Sequence, residues 1–277
     1  MLKKSLLLLA VVASALPAIA FAEDATAPAA AASAPEASPL SFNIGVVSEY
    51  RYRGISQSRF KPALQGGADY AFASGFYVGT WASTIKWIKD AGTINSVDTG
   101  NTNFEWDFYG GYKGEIVKDV TYDVGLLEYF YAGNKYDNIP AGAYPAGKNA
   151  NTLEIYGAVT YGPATLKYSH ALTNIFGFGD SKNSGYIDAS ATFDVGAGVS
   201  LAPHVGYQRI AGANSDFSYT YYSLTASKDA WGFTFSLAAI GTSTKDIAGA
   251  PGSYAYFSPE GKNLGRATVV LGVKKTF

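Results

Sequence analysis

Along much of the chain, apolar and polar residues alternate one for one. Phe104, Trp106 and Phe108 oppose Glu105, Asp107 and Tyr109, and Leu153, Ile155 and Val159 oppose Glu154, Tyr156 and Thr160. Ile187, Ala189, Ala191, Phe193 and Val195 oppose Asp188, Ser190, Thr192 and Asp194, while Trp231, Phe233, Phe235 and Leu237 oppose Gly232, Thr234 and Ser236. The last residues repeat the pattern, with Ala267, Val269, Leu271, Val273, Lys275 and Phe277 in one phase. A period of two puts each set on one face of a β-strand.

Extended along the chain, the pattern predicts twelve strands, at 42–53, 63–72, 76–88, 102–113, 119–131, 151–161, 164–173, 185–195, 199–209, 217–228, 231–241 and 265–277. Both faces carry apolar residues near Thr80–Lys86, near Glu128 and over 217–228, which leaves register open there; a bulge reconciles each case. Short connections are expected at Ala73-Ser74-Gly75, 114–118, Gly162-Pro163, Gly196-Ala197-Gly198 and Asp229-Ala230. Longer ones fall at 54–62, 89–101, 132–150, 174–184, 210–216 and 242–264. Short and long connections alternate, as in an even-stranded membrane barrel with short periplasmic turns, longer outer loops and both termini periplasmic. The predicted fold class is therefore all-β, a transmembrane antiparallel barrel of about 12 strands. A soluble sandwich or barrel shares the alternation and the glycine-rich turns. What separates the two is the face that meets lipid: in the membrane barrel the apolar side points outward and the polar side inward.

The N-terminal region supports export. Lys3 and Lys4 precede the apolar run Leu6–Val12, and Ala20-Phe21-Ala22 is a small-x-small site, so 1–22 reads as a signal peptide cleaved after Ala22. Ser14 and Pro17 interrupt the run, which is short for a membrane span. Residues 23–40 hold eight Ala and three Pro and read as a flexible leader, with the barrel over 41–277. Loss of Lys3 and Lys4 leaves 19 basic against 22 acidic residues, a net charge of −3, which gives no nucleic-acid surface. The absence of cysteine excludes disulfides and thiolate metal sites. No further long apolar run exists for a helical span.

Several segments resemble a family of proteobacterial outer-membrane porins labelled TorF-like. They are Ser48-Glu49-Tyr50-Arg51-Tyr52-Arg53-Gly54-Ile55-Ser56-Gln57-Ser58 with Pro62-Ala63-Leu64-Gln65-Gly66-Gly67, then Gly75-Phe76-Tyr77-Val78-Gly79-Thr80-Trp81-Ala82-Ser83, Glu105-Trp106-Asp107-Phe108-Tyr109-Gly110-Gly111-Tyr112 and Leu153-Glu154-Ile155-Tyr156-Gly157. The resemblance covers roughly 41–277 and implies an outer-membrane channel; it brings no catalytic set and no established substrate. Lys275 departs from the apolar or aromatic residue common at that position in outer-membrane proteins; its stem is expected to snorkel toward the headgroups.

Phase places Glu49, Arg51 and Arg53 together, opposite Tyr50 and Tyr52. Two readings follow: a charged lumen wall near the mouth, where arginines offer fixed donors to anionic solutes, or an internal network in which they pair with Asp69, Glu105, Asp107 or Glu154. Gln65, Asp69, Glu105, Asp107, Glu154, Lys167, Asp188, Asp194, His204, Arg266 and Lys274 share the expected lumen phase. Both signs occur, so ion preference is expected to be weak. Tyr50, Tyr52, Trp81, Trp87, Trp106, Tyr168, Tyr207, Trp231 and Phe277 are the expected interfacial belts. Gly66-Gly67 and Gly110-Gly111 inside strands signal close approach, curvature or a bulge; no phosphate-binding G-x-x-x-x-G-K pattern exists.

An enzyme is the weaker class. The two histidines, His170 and His204, stand apart; adjacent Ser169 and His170 point to opposite faces. No nucleophile, base and orienter converge, so no catalytic set, metal site or cofactor is expected. The sequence favours a channel for passive diffusion of small hydrophilic solutes or ions. Its expected partners are outer-membrane lipid and lipopolysaccharide, the barrel-assembly machinery, and those solutes. The alternative is a closed structural or adhesive barrel presenting 89–101, 132–150 and 242–264 outward.

Overall fold

The computed structural model describes residues 38–140, 147–244 and 256–277. The signal peptide and nearly all of the leader lie outside them, as do parts of loops 132–150 and 242–264. No described helix is long and apolar enough to cross a membrane, which says nothing about strands.

Among the described residues, twelve strands form the wall of a closed antiparallel barrel. They are β1 (Leu40–Val47), β4 (Ala63–Ala71), β5 (Phe76–Thr84), β6 (Phe104–Val117), β7 (Val120–Phe130), β8 (Thr152–Tyr161), β9 (Ala164–Ala171), β10 (Gly185–Ala191) continued by β11 (Phe193–Asp194), β12 (Val199–Arg209), β13 (Tyr219–Ala230), β14 (Phe233–Thr242) and β15 (Thr268–Thr276). Each pairs with its neighbour in sequence, β10 with β12, and β1 closes onto β15 with Asn43 opposite Thr276. Closure leaves no unpaired edge, which is how a sheet survives in hydrocarbon. The first and last wall strands start and finish at the end bearing the short turns, where the Phe42 and Phe277 backbones exchange hydrogen bonds.

The alternation sets the polarity of the wall. Phe42, Ile44 and Val46 are about half exposed on the outer face, as are Val269 and Leu271. On the inner face, Glu154, Lys167, Ser169 and Asp188 are buried. The outer apolar surface far exceeds what a water-soluble monomer tolerates.

Four local expectations are corrected. The first strand ends at Val47, and 48–62 leaves the wall altogether. The third ends at Thr84, where the chain forms helix α1 (Trp87–Asn95), which buries Ile88 and Ala91 and stops at Ser96 in the left-handed conformation. Two turns move: Lys118-Asp119 joins β6 to β7, and Trp231-Gly232, both with positive φ, joins β13 to β14. That pair of conformations suits a two-residue hairpin. Register, open in the sequence near 80–86, 128 and 217–228, is continuous over the paired residues of those stretches, and the one irregularity between wall strands lies between Glu115 and Val117. The apolar residues that made those stretches ambiguous, Trp81, Leu127, Tyr129, Tyr219 and Tyr221, belong instead to the aromatic and aliphatic packing inside the barrel.

Gly111 shows how large inner side chains fit. It lies opposite Tyr77 across the β5–β6 pair, and a Cβ there would come within 2.5 Å of the Tyr77 hydroxyl. The missing side chain lets the tyrosine lie across the neighbouring strand, so Gly110-Gly111 serves close approach.

Candidate functional site

The segment that leaves the wall folds into the barrel. It carries a two-stranded hairpin, β2 (Arg51–Tyr52) and β3 (Ile55–Ser56), turning at Arg53-Gly54. Both turn residues have positive φ, 45° and 81°, the arrangement of a tight two-residue hairpin. Positive φ suits Gly54, whose lack of a side chain lets the turn press against Tyr221 and Thr242 of the wall. It is uncommon for arginine, and Arg53 is held by its partners. Its guanidinium donates to both Glu154 carboxylate oxygens, at 2.8 and 3.2 Å, and to Gln208 Oε1 at 2.7 Å. It also lies over the Tyr52 and Tyr186 rings, 4.8 and 4.2 Å from their centroids.

Neighbouring residues reach other parts of the wall. The Tyr50 hydroxyl donates to Glu105, whose second oxygen accepts from Tyr131 at 2.6 Å. Tyr52 and Tyr129 share a hydroxyl hydrogen bond of 2.6 Å. Arg51 pairs with Glu49 at 3.0 Å and donates to the Gly54 and Arg266 carbonyls, both at 2.8 Å. Farther out, Arg59 pairs with Asp90 of α1 and, at 3.3 Å, with Glu260. The hairpin thus contacts β6, β7, β8 and β12 and the approach to β15, bridging the lumen at the loop end. Arg51, Arg53 and Arg59 each face a carboxylate, as buried ions must, while Arg51 Nη2 has no hydrogen-bond partner among the described residues.

Toward the turn end the interior is polar. Asp69 accepts from Tyr109 and Asp123 from Tyr77, each at 2.6 Å. Lys113 lies 3.4 Å from Asp123, and Asp188 bonds His204 at 3.0 Å. Lys167 lies 4.3 Å above the Tyr156 ring. Outside the barrel, Asp98 is held below the usual carboxylate range by hydrogen bonding to Lys135, at 2.9 Å, and to the Gly100 N–H. This pair ties loop 89–101 to the loop after β7.

Gln65, Asp69, Glu105, Asp107, Glu154, Lys167, Asp188, His204 and Lys274 occupy inner positions on wall strands. Others differ from expectation. Glu49 sits in the bend after β1, and Arg51 and Arg53 lie on the inserted hairpin, because the chain turns inward after Val47. Asp194 is exposed at the turn-end rim. Arg266 precedes β15 and is exposed, stacked 4.3 Å from the Phe60 ring centroid.

Of the expected belt, Trp106, Tyr168, Tyr207 and Phe277 lie on the outer surface, and Trp231 lies in an exposed turn. Tyr50 and Tyr52 do not; they are buried within the hairpin segment. Trp81 packs edge-on to Tyr50, 5.5 Å between centroids, and Trp87 packs 5.2 Å from Tyr131. All four point inward because the inserted segment needs apolar partners. Gln208, Tyr129, Tyr131 and Tyr186 were missed as members of this network. The available signal was aromatic residues in the inward phase near the loop ends of their strands.

No group of three or more metal-ligating side chains occurs among the described residues. The architecture defines a closed, twelve-stranded antiparallel β-barrel with an apolar outer face. The chain matches a family model over residues 29–277 and belongs to that family, described as "Bacterial protein of unknown function (Gcw_chp)". No curated protein sequence matches it. Among solved structures it is similar to a KdgM porin, at 6% identity and TM-score 0.50, covering 86% of this chain and 99% of that one. It also matches a NanC porin, at 10% identity and TM-score 0.48, covering 86% and 98%. OprD from Pseudomonas aeruginosa matches at 10% identity and TM-score 0.38, covering 88% and 68%. At these identities the likeness concerns the fold. The fold shared with the KdgM porin carries the coarser part of the expected resemblance, to the barrels of known outer-membrane porins.

Proposed function

We propose that this protein is an outer-membrane, porin-like channel for passive diffusion of small hydrophilic solutes or ions, narrowed by its own 48–62 segment. The supporting observation is the polarity of the wall: an apolar outer band, interrupted by Glu128, around an interior that carries most of the charged side chains of the wall. Such a band suits hydrocarbon, and a polar lumen suits water and solutes. The short turns and both barrel termini then face the periplasm, and the hairpin lies toward the outside. Lipid and lipopolysaccharide contact the outer face, and the assembly machinery inserts the barrel. Acidic and basic side chains share the turn-end interior, which favours weak ion selectivity.

The inserted hairpin favours a second reading, a closed structural barrel, because Arg53 and Glu154 are fully buried. Liposome swelling with neutral solutes of graded size separates the two. The channel reading expects uptake that falls with solute size; swelling no faster than in protein-free liposomes, from verified folded barrel, supports the closed reading.

A further inference from the structure

Two lysines stand on the outer face of the described wall strands, Lys228 on β13 and Lys275 on β15. Lys228 lies opposite Phe235 of β14, in the phase of exposed Tyr222 and Leu224. Lys275 lies opposite Ile44 of β1, in the phase of exposed Val269 and Leu271. Phe235 also pairs with Val273, so the two lysines flank β14 one two-residue step apart. Strand spacing and rise put their Cα atoms about 12 Å apart, within reach of one ligand for two flexible four-carbon stems. Phe233 and Phe235 stand between them, and Trp231 packs edge-on to Phe235 with centroids 6.0 Å apart. Lys275 Nζ lies 5.5 Å from the Phe233 ring centroid and 4.9 Å from that of Phe277. Neither ammonium pairs with a carboxylate among the described residues. Asp229 takes the inward phase, where Thr234 donates to it. One step farther from the turns, the outward residues Ala226, Leu237 and Leu271 are all apolar. Elsewhere at the turn end the outward positions Phe72, Phe76 and Tyr161 carry no charge, and Lys118 of the β6–β7 turn has Asp119 beside it.

We propose that Lys228 and Lys275 hold the phosphate of an anionic phospholipid, one whose headgroup brings no cation of its own, with an acyl chain lying along Leu237 and Leu271. The inference rests on the reading that the outer face meets lipid and the turn end faces the periplasm, which sets both lysines at the headgroups of the phospholipid leaflet. Three arguments converge on that ligand. Lysines at the edge of an apolar band lay their stems on it and lift their ammonium groups to headgroup level, where cations attract anionic lipid. The rings beside them favour the same depth. An ethanolamine headgroup would set its own ammonium against the two lysines and lose that attraction, whereas a glycerol headgroup leaves the phosphate charge free for them. A second copy of the chain is a poorer occupant: Glu128, the carboxylate on the outer face, lies toward the loop end of β7, the opposite end of the wall from the two lysines.

The test reads local lipid composition at two places on the full-length barrel. The chain has no cysteine, so Ala226→Cys and Val159→Cys each take a single bimane label. Ala226 lies beside the lysines, opposite Leu237; Val159 is half exposed on β8, across the barrel. Each labelled protein is placed in vesicles of equal phosphatidylglycerol and phosphatidylethanolamine, with bromine on the chains of one lipid or the other. At position 226 brominated phosphatidylglycerol is expected to quench more, corresponding to local enrichment of at least about fivefold. At position 159 the two lipids quench alike. Lys228→Gln with Lys275→Gln equalises them at 226, and heat-modifiable gel migration confirms that the variant is folded. Equal quenching at 226 in the parent, the same preference at 159, or a preference that survives the double substitution would overturn the proposal. A label at 226 shielded from both lipids while 159 is quenched would give this face to a second copy and overturn it as well. Quenching of neither label would remove the lipid-facing reading itself, whereas two quenched labels without a phosphatidylglycerol preference remove this inference alone.

Discussion

Arg53 and Glu154 form a two-pronged ion pair across 101 residues of sequence, with both side chains essentially removed from solvent. One belongs to the inserted hairpin and the other to wall strand β8. The parallel N–H···O bonds fix orientation as well as distance, so this pair sets where the hairpin crosses the lumen.

Removing one partner leaves an uncompensated buried charge. Glu154→Ala is expected to cost about 3–5 kcal/mol of stability, read as a lower urea midpoint for unfolding from detergent or lipid. Arg53→Met with Glu154→Met restores part of it, since an apolar replacement of a buried pair is often neutral. A double variant as unstable as the sum of the singles would show that the two residues act independently.

Gly111 is expected to be intolerant of bulk. Gly111→Val places atoms where Tyr77 and the Val124 carbonyl now lie, and overpacking of this kind typically costs about 1–3 kcal/mol. Tyr77→Ala should recover part of the loss in a double-mutant cycle. A Gly111→Val barrel as stable as the parent would contradict the close approach.

Glu128 stands on the outer face between Leu126 and Phe130, opposite Phe108 and Leu153, and makes no hydrogen bond or ion pair among the described residues. A carboxylate facing lipid is unfavourable in a depth-dependent way. Glu128→Leu is expected to stabilise the barrel by about 1 kcal/mol, measured by unfolding in lipid vesicles. Destabilisation would place this face against something other than hydrocarbon.

Single-tryptophan variants report the two sides of the wall. Brominated lipid is expected to quench Trp106 strongly and Trp81 and Trp87 weakly, because Trp106 is outward and the other two pack inside. Strong lipid quenching of Trp81 would reverse the assigned faces.

The wall was legible in the sequence, while the content of the lumen was not. Alternation at Phe104–Tyr109 or Leu153–Thr160 reports which face meets an apolar surface, and those strands lie where the pattern puts them. From Glu49 to Arg53 the alternation continues without a break, although the chain has already turned inward after Val47. Inside the barrel both faces of the hairpin are buried, so polarity no longer distinguishes wall from insert. Arg53-Gly54 could be read as a hairpin turn only by accepting positive φ at an arginine. The inward aromatics Trp81, Tyr129 and Tyr221 carried the information, but their meaning depends on a partner far away in sequence. Helix α1 was hidden for a related reason: Trp87 and Ile88 extend the apolar pattern of β5, and its burial comes from the loops around it.

Single-channel recording in planar bilayers, comparing the parent with a variant whose residues 51–56 are replaced by Gly-Ser, tests the central claim most directly. The account predicts small openings with weak ion selectivity for the parent and a several-fold larger, steadier conductance once the hairpin is gone. Identical conductance in the two proteins, or silence from both when correctly folded, would contradict a channel narrowed by this segment.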